Sequence, residues 1–380
     1  MNVLKFGGSS VGFLEALLNV RQIVSSRKES VVVVVSALSG ITDMLLNTSA
    51  MAEKGDSSYL EAYKDIRERH IGLVCKLGLA EGAKASLLAD MEVKFTLLKS
   101  LLDGVHTLKV LPEKTRYEIV SFGERLSSEI VAALIEGSAL YNSLDFIKTT
   151  KVAGKVVLDS VVTEDLVKKA FASIESGKQI AIVPGFISAD SFTSEITNLG
   201  RGGSDYTASI IAAALDADCL EIWTDVDGFM TADPRIIKTS YVIDELSFVE
   251  AMELCNFGAK VIYPPALYPV CPKDIPVLIK NTFNPEAKGT VIRQKCDNAG
   301  RAVTGISSIA GSCVLTVSGA SMAGIVGVNS RIFNSLAREG ISVFLVSQSS
   351  SETHISLGVN ESDADKAAAV LDSEFVHEIA

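Results

Sequence analysis

No apolar run in this chain approaches the roughly 18 residues that a membrane span needs. Its start is not a signal-peptide pattern either, because Lys5 and a glycine turn interrupt it at once. The six cysteines (Cys75, Cys219, Cys255, Cys271, Cys296 and Cys313) show no C-x-x-C spacing, which points to reduced thiols and a cytoplasmic setting. The four histidines (His70, His106, His354 and His377) form neither H-E-x-x-H nor H-x-x-x-H, so no metal site is expected. No Gly-Lys-Ser/Thr occurs, which excludes a Walker A loop. Positive charge is in deficit: 35 Lys and Arg against 46 Asp and Glu, a net charge of −11. That disfavours a general nucleic-acid or anionic-membrane surface and leaves room for a local cationic pocket.

What is present is an ordinary globular composition, 48% apolar and 21% charged over 380 residues, long enough for two or three domains and a large core. The chain opens with an apolar strand that runs through Lys5 into Gly7-Gly8-Ser9-Ser10, followed by an amphipathic helix. Strand, glycine turn and helix together present backbone N–H groups to an anion, and adjacent glycines let it approach the main chain closely. A tight turn with a surface lysine is the alternative. The β-branched run at 30–37 reads as a strand buried on both faces of a parallel sheet. A hydroxyl-rich loop follows it and enters a helix at about 43–52. Loops at the carboxyl ends of neighbouring strands share a cleft in such sheets. Thr42 either caps that helix or binds substrate.

Residues 58–138 read as three long helices. In the third, a helix-interior Gly123 beside Glu124-Arg125 costs stability, so something must approach closely there; for Glu124 itself a surface i,i+4 pair is the plain alternative. Strands are expected at 146–149, 151–158, 179–186, 219–224 and 276–281, with helices at 164–176, 208–215 and 247–259. A second glycine-rich turn, Gly200-Arg201-Gly202-Gly203-Ser204-Asp205, precedes the 208–215 helix. Ser204 or Asp205 is placed to cap that helix. An arginine flanked by glycines suits bidentate capture of a carboxylate or phosphate. The loop at 225–235 has three aspartates but not the spacing or closing Glu of a calcium loop.

In order along the chain stand K-F-G-G-S-S at 5–10, F-G-E-R at 122–125, G-R-G-G-S-D at 200–205, T-D-V-D-G at 224–228, D-P-R at 233–235 and F-G-A-K-V at 257–261. Together they resemble aspartate kinase of the amino-acid kinase superfamily. W-T-D-V-D-G, A-M-E-L, L-I-K-N-T and S-Q-S-S-S-E are similar to the kinase half of bifunctional aspartate kinase–homoserine dehydrogenases. The resemblance implies an α/β, carbamate kinase-like αβα sandwich at 1–290. It implies ATP-dependent phosphorylation of the L-aspartate side-chain carboxylate, with Mg2+, as the first step towards lysine, threonine and methionine. By the same resemblance Lys5 and Asp205 are catalytic, and Thr42, Glu124, Arg201 and Ser204 hold the substrate. Lys5, Gly7, Gly8, Ser9, Thr224, Asp225, Met230, Arg235, Lys260 and Val261 face the nucleotide. Two positions depart from the family pattern: Met230 replaces a Tyr near the adenine, and Tyr263-Pro264-Pro265 replaces a His-Pro step. The other readings are a glutamate-type amino-acid kinase and a non-catalytic amino-acid sensor.

A polar linker is expected at 291–301, then a small unit at 302–380. Strands at 312–318, 341–347, 352–359 and 375–379 with helices at 327–339 and 363–373 give a βαββαβ order. It resembles an ACT domain, a regulatory module that binds an end-product amino acid, here threonine or lysine. Met322, Val328, Ser342, Val343 and Gln348 would line that site. Only one complete unit of the family's usual tandem pair is present, and 303–309 reads as a surplus strand, as expected of a truncated pair. Pairing through ACT units would make the chain a homodimer or higher homo-oligomer.

Overall fold

The computed structural model describes residues 1–174, 179–259, 261–296 and 303–377, which fall into two compact units, Met1–Ser307 and Ser308–Ala380. In the first, β1 (Asn2–Phe6) leads through α1 (Gly8–Val11) and α2 (Leu14–Ser25) to β2 (Val31–Val35). Then come α3 (Ile41–Glu53), α4 (Tyr59–Lys76), α5 (Glu81–Leu108) and α6 (Glu113–Leu134). The chain returns to strands in β3 (Ser138–Leu140), β4 (Lys148–Val152) and β5 (Lys155–Leu158), followed by α7 (Ser160–Phe171). After β6 (Ile180–Pro184), β7 (Ile187–Asp190) and β8 (Ile196–Asn198) come α8 (Gly203–Ala214) and β9 (Cys219–Thr224). The unit ends with β10 (Glu245–Ser247), α9 (Phe248–Asn256), β11 (Val277–Asn281) and β12 (Thr290–Arg293).

Eight strands form one sheet in the order β10-β12-β11-β9-β1-β2-β6-β3, parallel except where β12 meets β11. A second sheet runs β5-β4-β7-β8. The valine run of β2 shows why the main sheet is buried on both faces. Val31, Val33 and Val35 join a core built with α2 to α6, whereas Val32 and Val34 join a second core with α7, α8 and α9. Strand side chains alternate faces, so five consecutive buried valines require a helix layer on each side. That is the αβα sandwich.

In the second unit, β13 (Ser312–Ser318), α10 (Val328–Arg338), β14 (Leu345–Gln348), β15 (His354–Asn360) and α11 (Ala364–Glu374) build a three-stranded antiparallel sheet, ordered β13-β15-β14, over a small core of its own. Residues 375–377 of the expected last strand form a turn, and 378–379 lie outside the described residues.

Three local expectations change. Residues 291–293, expected at the start of the linker, pair in the main sheet within β12 (Thr290–Arg293). Residues 303–309 are not a strand; Thr304 Oγ1 instead donates to Glu250 Oε1 (2.8 Å) and the Ile306 N–H to the Thr231 carbonyl (2.8 Å). Helix starts also differ. Gly40 and Gly202, both left-handed, occupy the N-cap positions of α3 and α8, so Thr42, Ser204 and Asp205 lie inside first turns and cap nothing.

Candidate active site

Lys5 lies on β1 with the parity of Val3, on the face that α8 covers. Its Nζ therefore meets Asp205 Oδ1 of α8's first turn at 2.6 Å, with both side chains about nine-tenths buried. A surface lysine on a tight turn is ruled out. Gly8 explains the glycine turn: a Cβ there would stand 3.0 Å from the Ala37 carbonyl, and its own carbonyl accepts the Ser39 N–H at 3.1 Å. The loops after β1 and β2 are thus stitched together. Gly7 differs from expectation, because its N–H donates to the Trp223 carbonyl (3.1 Å) and is spent in the sheet. Gly8 and Ser9, at the start of α1, have no i−4 partner for their N–H groups within that helix.

Glu124 sits on α6 and is 3% exposed, so it makes no surface pair. Gly123 beside it lets α6 reach the loop after β2; a Cβ there would be 2.8 Å from Ala37 Cβ. Glu124 Oε1 accepts the Ala37 N–H at 3.2 Å, and buried Oε2 has no partner among the described residues. Burial pushes the carboxyl up to about 8, against the opposing pull of the Ala37 N–H. A buried carboxylate oxygen without a partner is costly, and it is matched by a cation with N–H groups to donate.

Both glycine-rich turns open on one cleft of about 760 Å³, lined by Lys5, Gly8, Thr42, Glu124, Arg201, Ser204 and Asp205. The 200–205 turn is fixed by contact as well as conformation. Gly202 has φ +66°, and a Cβ there would meet Tyr263 Cβ at 2.3 Å. The arginine it carries is exposed, with no ion pair to the described residues. Sequence reasoning missed Arg116 and Tyr117, which also line the cleft. The signal was there: they precede Glu124 by eight and seven residues, with Val120 at four, all on one helical face.

Of the residues expected at the nucleotide, Lys5 and Gly8 line this cleft, and the described ones of the 224–261 stretch lie outside its lining. Thr224 ends β9 and donates to Asp225 Oδ1 (3.2 Å), Met230 bridges antiparallel to Val242, and Val261 is half-buried. Arg235 is exposed and pairs with Asp233 (2.7 Å), whose carboxyl that hydrogen bond holds at about 2. None of these lines the cleft; Lys260 lies outside the described residues. In the second unit, Met322, Val328 and Gln348 line a cavity of about 150 Å³. Ser342 and Val343 do not: Ser342 is exposed, and Val343 packs on that unit's core.

Residues 1–281 match the amino acid kinase family and residues 315–375 an ACT domain. The bifunctional aspartokinase/homoserine dehydrogenase of Haemophilus influenzae is 34% identical over all of this chain and 47% of its own length. Aspartokinase 1 of Arabidopsis thaliana is 34% identical over 95% of this chain and 63% of its own. The chain spans about half the length of the bifunctional relatives it matches. Aspartokinase III of E. coli, solved with aspartate and ADP, superposes with a TM-score of 0.80 at 29% identity, over 95% of this chain and 78% of that one. The same enzyme with lysine and aspartate gives 0.79 at 28%, over 97% and 83%.

Proposed function

This chain belongs to the amino acid kinase family, carries an ACT domain and is related to the kinase half of bifunctional aspartokinase/homoserine dehydrogenases; from that premise we propose that it is an aspartate kinase. It transfers the γ-phosphoryl group of ATP to the side-chain carboxylate of L-aspartate. A carboxylate oxygen forms a bond to phosphorus as the bond to the ADP oxygen breaks, giving 4-phospho-L-aspartate and ADP. The acceptor is already ionised at neutral pH, so no base is needed. What the reaction asks for is alignment and neutralisation of charge.

One observation carries this reading: the buried Lys5–Asp205 pair, the unpartnered Glu124 oxygen and Arg201 share a single cleft. Aspartate offers two carboxylates and one ammonium. In our reading Glu124 takes the ammonium, Arg201 one carboxylate in the bidentate manner, and Thr42 and Ser204 hydrogen-bond around them. Lys5 leaves Asp205 for the transferring phosphoryl group, where its charge counts most in the transition state. Among the described residues no three His, Cys, Asp or Glu side chains are grouped to hold a metal. In our reading Mg2+ enters with the nucleotide substrate, whose phosphates and water supply most ligands, with Asp205 beside Lys5 as the carboxylate that orients the pair. The ACT domain would bind threonine or lysine as a feedback signal.

The test is acyl-phosphate trapping as hydroxamate with ATP and Mg2+, aspartate run against glutamate. We expect product with aspartate and a loss of at least ~10² in kcat for Lys5→Ala. Product with glutamate alone, or none with either, refutes the assignment.

A further inference from the structure

Just before the second unit begins, residues 304–306 run between two pieces of the 224–261 stretch and its neighbours. On one side is a hairpin: the Thr231 N–H donates to the Tyr241 carbonyl (2.9 Å), the Ile243 N–H to the Phe229 carbonyl (2.7 Å), and Met230 bridges to Val242. The Ile306 N–H donates to the Thr231 carbonyl (2.8 Å), tying the segment to that hairpin. On the other side is α9, whose C-terminal end runs into the 257–261 segment. Its Glu250 accepts the Thr304 hydroxyl on Oε1 (2.8 Å) and, on Oε2, the Ser247 N–H (2.8 Å) and the Cys296 thiol (3.4 Å). Burial works against ionisation of Glu250, but the hydrogen bonds from Ser247, Thr304 and Cys296 outweigh it and hold the carboxyl at about 2. Between the two anchors Gly305 passes so closely that a Cβ would stand 3.2 Å from Leu254 of α9 and 3.4 Å from Ile243 of the hairpin.

We infer that this segment is a clasp, and that Thr304 and Glu250 are positioning residues that hold the 229–243 hairpin and α9 in one register. The inference rests on the reading that Met230, Arg235 and Val261 face the nucleotide. Neither residue touches the cleft that holds Lys5, Glu124 and Arg201. Loosening the clasp therefore weakens ATP binding and leaves aspartate binding and the chemical step alone.

The test uses the full chain with Thr304→Val, which keeps the branched shape and removes the donor, and Thr304→Ser, which restores it. Losing one hydrogen bond to a charged group should raise KM for ATP about tenfold while KM for aspartate and kcat stay within about twofold, with Thr304→Ser near wild type. Calorimetric ATP titration should show the same loss. Amide exchange at Thr231, Ile243 and Ile306 should be faster in Thr304→Val, a readout that needs neither nucleotide nor turnover. Unchanged exchange overturns the clasp. Faster exchange with unchanged ATP affinity overturns its link to the nucleotide, provided that the wild type binds ATP. A wild type that binds no ATP overturns the nucleotide reading itself, and with it the role assigned to Thr304. Parallel rises in both KM values that Thr304→Ser does not rescue would mark a merely structural contact.

Discussion

At the scale of single residues, Glu124 is the most informative group in the cleft. Its carboxyl is buried and raised to about 8, against an ordinary value of 4.5, because burial penalises the charge more than the Ala37 N–H supports it. The sign of the consequence is fixed. A carboxyl raised on folding takes up a proton between pH 4.5 and 8, so its favourable contribution is complete below pH 4.5 and is lost as pH rises through 8. Glu124→Gln removes that dependence and keeps the shape. In the free protein the variant's urea midpoint should exceed that of the wild type at pH 9, and the two should converge near pH 5. A gap that is constant across that range would show that Glu124 does not titrate in this window. An ammonium placed against Oε2 favours the ionised form. Aspartate binding at pH 6.5 should therefore release protons, seen as a dependence of the calorimetric heat on buffer ionisation enthalpy, and the release should vanish in Glu124→Gln.

At the scale of elements, legibility followed the strength of the local pattern. The strand 219–224 and the strand 312–318 were read to the residue, because an apolar or alternating run was bounded by polar turn residues. Helix starts differ from expectation where a left-handed glycine, not a hydroxyl, holds the N-cap, as at Gly40 and Gly202; at Gly202 the close approach of Tyr263 adds a tertiary contact that no local rule contains. The 303–309 run looked like a strand because it is rich in β-branched residues, yet Thr304 and Ile306 satisfy α9 and the hairpin instead of a sheet. The 290–293 strand escapes a local reading although Thr290, Val291 and Ile292 are β-branched, because only four residues separate the polar stretches on either side. It is fixed by antiparallel pairing with β11 and parallel pairing with β10. Gly123 is the reverse case: its helix penalty betrayed a close approach before any coordinate did. On an exposed helix, Gly123→Ala would stabilise by about 1 kcal/mol. Here the added carbon would stand 2.8 Å from Ala37 Cβ, forcing α6 away from the loop that orients Glu124. We expect a lower melting temperature and a raised KM for aspartate, with KM for ATP little changed. A more stable variant with normal kinetics would mean that the helix and loop are not in contact.

At the scale of the whole molecule, the cleft and the ACT domain belong to units with separate cores. The first unit is filled on both faces of an eight-stranded sheet. The second closes over one small cluster of Ile332, Leu336, Ile341, Ile355, Leu357, Val359, Ala367 and Leu371. Small units bury a smaller fraction of their surface and are correspondingly marginal, so the second should unfold at lower denaturant than the first. The sequence provides a probe that separates them, because its only tryptophan, Trp223, is 2% exposed in β9 of the first unit. Trp223 emission reports that unit alone, whereas far-UV circular dichroism also reads α10 and α11. In a urea titration the dichroism should begin to fall before the emission shifts, and the two curves should not superimpose. Threonine or lysine bound at the 322–348 cavity would move the early phase to higher urea and leave the Trp223 transition in place, by mass action on the folded second unit. Superimposable curves would instead mean that the two units unfold as one cooperative body, and a ligand bound by the ACT domain would then be felt in the stability of the cleft that holds Lys5, Glu124 and Arg201.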